Sequence, residues 1–100
     1  SLYKTLPEHK MNIAEAREHK RQDVLFEDAI GRISGDYIYV YPPGIPIVTP
    51  GEVLSLGVIQ EIKAAMDNNL HMKGIIYDRK GNAFVNVIRE NRWLSRIQRR

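Results

Sequence analysis

The reading of this chain turns on Asp36-Tyr37-Ile38-Tyr39-Val40-Tyr41-Pro42-Pro43-Gly44-Ile45-Pro46-Ile47-Val48-Thr49-Pro50-Gly51-Glu52. The first six residues alternate tyrosine with β-branched residues. That pattern predicts a strand over residues 36–41, with Tyr37, Tyr39 and Tyr41 on one face and Ile38 and Val40 on the other. Three prolines then remove three ladder donors and hold φ at about −65°, so residues 42–46 are extended, stiff and barred from the middle of a sheet. Ile47 and Val48 resume a short extended run, and Thr49-Pro50-Gly51-Glu52 turns the chain. The tyrosines either pack one face of the sheet or form a wall over a ligand or partner. Closing such a wall costs little further entropy, because the rings have already restricted the backbone. Glu52 either holds a cationic group or simply leads into the next helix.

Downstream, Ser55 is placed to cap a helix in which Val58, Ile59, Ile62, Ala65 and Met66 recur at helical intervals as far as Asn68 and Asn69. Residues 71–77 and 82–89 are two apolar runs joined by Asp78-Arg79-Lys80-Gly81, which predicts an antiparallel hairpin. Upstream, Asn12 with Glu15 three positions on is a variant of the capping box and predicts a helix over residues 13–21. Its apolar face, Ile13 and alanines, is thin. A second short helix is expected from Asp23, bringing Leu25, Phe26, Ala29 and Ile30 to one side before Gly31 ends it. Residues 1–10 carry Pro7 and no sustained period, and read as a linker or lead-in. The expected fold is α+β: one compact domain over residues 11–100, a small sheet with an antiparallel hairpin packed against a few helices.

A chain of 100 residues, 43% apolar and 27% charged, has room for one domain and the balance of a globular protein. No window approaches the roughly 18 uninterrupted apolar residues of a membrane span. Charged residues at Lys4, Glu8 and Lys10 argue against a signal peptide. With no cysteine there is no disulfide framework and no thiolate, so a reducing, cytoplasmic setting is expected. The net charge of +3 is uneven. Residues 89–100 hold five arginines against Glu90, an excess of four, which leaves residues 1–88 at −1. A nucleic-acid site would therefore rest on the basic terminal segment, residues 88–100, alone. The helical spacing of Arg89, Arg92, Arg96 and Arg99 around Trp93, Leu94 and Ile97 favours a docked terminal helix with its arginines in solvent.

The usual catalytic patterns are missing. His9, His19 and His71 have no partner at metal-ligand spacing, so no metal site is expected. Ser34 and Ser55 lie outside any nucleophile elbow, and Gly31, Gly35 and Gly44 make neither a P-loop nor a dinucleotide loop. Two readings from the residues alone stay open: a stand-alone protein-interaction module using the proline segment, and a nucleic-acid binder using the arginine-rich tail.

Gly31-Arg32-Ile33-Ser34, then Tyr41-Pro42-Pro43-Gly44-Ile45-Pro46, then Pro50-Gly51-Glu52, in this order and at these intervals, resemble the C-terminal domain of bacterial ornithine/lysine/arginine decarboxylases. The likeness runs over roughly residues 11–88. It departs mildly at Val40, at Thr49 and at Gly35, where proline, an apolar residue and alanine are commoner. The resemblance implies a parent enzyme that uses pyridoxal phosphate to remove the α-carboxyl of arginine, lysine or ornithine, for polyamine biosynthesis. It also implies that the Schiff-base lysine stands in an upstream domain, in a Ser-x-His-Lys setting. Glu8-His9-Lys10 and Glu18-His19-Lys20 lack that serine. The chain itself is accordingly expected to hold no catalytic, cofactor-binding or metal-binding residue and to be inactive alone. Its expected partners are the N-terminal and cofactor-binding domains of the same polypeptide, in a homodimer or larger homo-oligomer, with neither nucleic acid nor membrane. Tyr39, Tyr41, Pro43, Gly44 and Glu52 are the candidates for lining the substrate entrance.

Overall fold

Asn12 starts the first element as its side chain predicts. Glu15 N–H donates to Asn12 Oδ1 at 2.8 Å, and Asn12 N–H donates back to Glu15 Oε1 at 3.4 Å, which satisfies two of the donors a helix start leaves orphaned. The structure, a computed structural model, describes residues 11–41 and 45–90. Helix α1 spans Ile13–Glu18 and stops short of residue 21: His19 is already extended, with its N–H on the Ala16 carbonyl. Ala16 is fully buried, so this thin helix is held by one small residue against the body.

The second helix expected from Asp23 is not formed. Arg21–Leu25 is a strand, β1, antiparallel to β6 at Ala83–Ile88, with Arg21 opposite Ile88 and Leu25 opposite Phe84. Only Phe26–Asp28 is helical, as one 3-10 turn. A partner strand some sixty residues away overrides the weak local preference, as tertiary pairing commonly does. Phe26 and Ala29 are buried as expected, but Ile30 is exposed.

Strand β2 (Ile38–Tyr41) pairs antiparallel with β3 (Ile45–Val48) on one side and with β4 (His71–Lys73) on the other. Strand β5 (Ile75–Tyr77) pairs with β6 across the predicted hairpin. The expected single sheet is thus two three-stranded antiparallel sheets, ordered β3-β2-β4 and β1-β6-β5. The run over residues 71–77 is cut at Gly74, where φ of +101° turns the chain from one sheet into the other. An added Cβ there would overlap the Tyr37 carbonyl oxygen and lie 3.0 Å from Ile38 Cα, so close backbone approach requires glycine.

Helix α2 (Leu56–Asp67) closes the core. Ser55 Oγ accepts the Val58 N–H at 3.3 Å, and Ile59, Ile62 and Ala65 form the buried face. Ile59 and Ile62 meet Ile38 and Val48 from one sheet, Val85 and Val87 from the other, and Phe26, Ala29 and Leu54. The α+β class and the compact architecture follow from this shared core.

Candidate functional site

The candidates cluster around β2, β3 and the turn after them. Alternation works as read: Ile38 is 2% exposed, while Tyr37 and Tyr39 project from the opposite face and stack on each other, ring centroids 5.6 Å apart and 17° from parallel. Such a pair presents a flat aromatic platform. Tyr39 stands opposite Pro46 of β3 and Lys73 of β4. Pro43 and Gly44 lie outside the described residues, as does the side chain of Tyr41, whose backbone pairs with His71.

Glu52 lies in the turn that follows β3 and points inward. It is 5% exposed. Its Oε1 accepts both the Thr49 N–H at 2.9 Å and the Thr49 hydroxyl at 2.7 Å. Oε2 is buried without a hydrogen-bond partner, an unusual condition for a carboxylate oxygen. Of the two sequence readings, the structure gives Glu52 a local bonding role in closing the turn before α2, and it leaves one oxygen with capacity to accept.

Two of the motifs separated in sequence meet directly in the fold. Gly31 N–H donates to the Leu54 carbonyl and Leu54 N–H to the Arg32 carbonyl. Ser34 N–H donates to the Glu52 carbonyl and Gly51 N–H to the Ser34 carbonyl, all four at 2.8 Å. The Gly-Arg-Ile-Ser and Pro-Gly-Glu segments are therefore two sides of one backbone ladder, continued to β6 by the bridge of Ser34 to Val87. Ser34 is 1% exposed, and its hydroxyl donates to the Asp36 carbonyl at 2.7 Å, a structural bond rather than a nucleophile's setting. Arg32 is fixed by the Ile88 carbonyl at 3.1 Å and by Glu90, 3.3 Å from its Nε. The only signal for this arrangement in the sequence is the spacing of the two motifs.

The remaining candidates are the histidines and the basic terminal segment. His19 caps the end of α1, His71 opens β4, and both are exposed. His9 lies outside the described residues, as does the expected terminal helix beyond Glu90. Among the described residues no group of His, Asp and Glu is arranged to hold a metal ion, and no helix is long and apolar enough to cross a membrane. One carboxyl has a clear bias: Asp78, in the β5–β6 turn, is held below its ordinary value of 3.8 by the Asn82 side chain first and by the backbone N–H groups of Asn82, Lys80 and Gly81. This cluster fixes the hairpin and lies on neither candidate segment.

The family described as Orn/Lys/Arg decarboxylase, C-terminal domain, matches residues 1–91. The arginine decarboxylase of Bacillus anthracis is 45% identical over 49 residues, which is 49% of this chain and 10% of that protein. The constitutive lysine decarboxylase of Escherichia coli K12 is 35% identical over 57 residues, 53% of this chain and 8% of that protein. The matched stretch is thus about a tenth of the length of each curated relative. The solved structure of the E. coli constitutive lysine decarboxylase superposes with a TM-score of 0.75 at 26% identity, covering 84% of this chain and 14% of that one. The Francisella novicida lysine decarboxylase shares the fold at a TM-score of 0.72 and 24% identity.

Proposed function

Because this chain belongs to the family of Orn/Lys/Arg decarboxylase C-terminal domains, we propose that it serves a parent enzyme that decarboxylates a basic amino acid, arginine or lysine, with pyridoxal phosphate. The single observation that carries the reading is the family match over residues 1–91. In the parent the cofactor supplies the electron sink. The described residues of this chain do not fit that cofactor. Lys20, Lys63, Lys73 and Lys80 are all exposed, whereas a Schiff-base lysine works from a desolvated pocket or beside another cationic group. Cofactor and reacting groups accordingly belong to other domains of the same cytoplasmic polypeptide, in a homodimer or larger homo-oligomer, and the chain is inactive alone.

Its role is to support the subunit and to shape the substrate entrance. Tyr39 and Pro46, which face each other across β2 and β3, belong to one wall, and the proline-rich sequence between them, with Tyr41, Pro43 and Gly44, is assigned to the same entrance. The tyrosine faces attract a guanidinium or ammonium side chain, a contact worth about 0.5–2 kcal/mol. Glu52 adds negative charge through its unpartnered oxygen, as an attraction felt at the wall rather than a direct grip, because the carboxylate is buried.

Two variants of the full-length parent test this. Tyr41→Ala removes one aromatic face and should lower kcat/KM by about 2- to 30-fold. Glu52→Gln keeps an oxygen for the two Thr49 bonds and removes only the charge, so it should leave the melting temperature in place while weakening substrate use. Unchanged kcat/KM in both would remove the entrance role and leave support of the subunit. The 100-residue chain, mixed with pyridoxal phosphate and arginine, lysine or ornithine, should release no carbon dioxide.

A further inference from the structure

The β1-β6-β5 sheet has a second apolar row besides the one it gives to the core. Val24, Val85 and Ile75 lie opposite one another across the three strands and pack inward. One residue along, Leu25 faces Phe84 and Phe84 faces Ile76. Alternation places this row on the outer face, and none of its members belongs to the core cluster. Leu25 and Phe84 are half-buried, and Ile76 is 47% exposed. An antiparallel sheet with one side in water ordinarily carries polar residues at such positions.

The surroundings are polar. Asp23 and Asn86 form the next row and bond to each other at 3.0 Å. With His19, Lys20, Arg21 and Asp36 they line a cleft that reaches Ile76. An apolar centre with a polar rim has the anatomy of a protein–protein contact. The rim carries Lys20 and Arg21 against Asp23 and Asp36, so it has no single sign with which to draw a polyanion.

We propose that this face, centred on Phe84 and Ile76, seats against the upstream part of the same decarboxylase polypeptide. The proposal rests on the reading given under Proposed function. A solved relative of which this chain covers 14% leaves most of its polypeptide outside the domain, and a surface tethered in the same chain meets the row at a far higher effective concentration than a free partner or a second copy. The row belongs to the β1-β6-β5 sheet, whereas Tyr39 belongs to the β3-β2-β4 sheet.

The test uses the full-length parent with Ile76→Cys, and with Lys63→Cys on the exposed side of α2 as reference. Because Ile76 is outside the core, the substitution leaves folding intact. Peptide-resolved maleimide labelling should be at least about tenfold slower at position 76 than at 63 in the folded enzyme, and equal at the two sites in urea. Equal rates in a folded parent that still releases carbon dioxide would overturn the proposal. A photo-crosslinking residue at position 76 should link to a peptide upstream of this domain; a link to the same row of a second copy, or no protein link, would also overturn it. A parent with no decarboxylase activity on any basic amino acid overturns the reading beneath, and that result is separate from the labelling rates.

Discussion

At Gly74 the backbone has φ of +101°, and the space where a Cβ would stand is taken by the Tyr37 carbonyl and by Ile38 Cα. Gly81 has a similar φ of +85°, but nothing lies within 4 Å of the same position. Gly74→Ala should therefore cost about 2–4 kcal/mol, from strain and overlap together. Gly81→Ala should cost only about 1–2 kcal/mol, from strain alone. Urea denaturation of the two variants separates the terms, and equal losses would contradict the close approach at Gly74. Asp78 offers a test by pH. Its pKa is depressed, so its bonds stabilise the hairpin above the ordinary value of 3.8, and that contribution fades as pH falls from there through the lower folded value. The carboxyl carbon shift of Asp78 in NMR should titrate below 3.8, and Asn82→Ala should move the midpoint back toward 3.8 by removing the largest cause.

For the elements, burial separates side chains that hydropathy treats alike. On α2, Ile62 is fully buried and Leu56 is 57% exposed. Ile62→Ala should cost about 2–5 kcal/mol by leaving a cavity, whereas Leu56→Ala should change stability by no more than about 0.5 kcal/mol; thermal melts of both variants check the pair. α2 was legible because Ile59, Ile62 and Ala65 repeat with the helix and Ser55 supplies a cap, all within one window of sequence. The β5–β6 hairpin and the Asn12 capping box were legible for the same local reason. β1 was not. Arg21-Gln22-Asp23 lacks β-branched and aromatic residues, and what makes it a strand is β6, whose Asn86 is 63 positions beyond Asp23. The cut at residue 74 did have a signal, since a glycine inside a strand pattern marks a close backbone approach. At the candidate site, the alternation in residues 37–40 foretold the tyrosine face. The inward turn of Glu52 depends on Thr49 and on the ladder to Ser34, which no periodicity encodes.

On the scale of the whole molecule, the two sheets share one core and are joined at Gly74 without a linker, so neither has a private hydrophobic cluster on which to survive alone. Native-state hydrogen exchange should accordingly give the amides of Val40 in one sheet and Val85 in the other the same limiting free energy of opening. A lower limit confined to β2, β3 and β4 would show that the sheets open separately. The strand order has a further consequence for biosynthesis. In the β1-β6-β5 sheet the strand translated last is the middle one. While the nascent polypeptide leaves the ribosome, β1 and β5 each wait with an unsatisfied edge, and a release product ending before Ala83 leaves both without the neighbour they share. A premature stop there would yield a sticky remnant fit for a protease, whereas an internal deletion of α1, Ile13–Glu18, would spare every strand of both sheets.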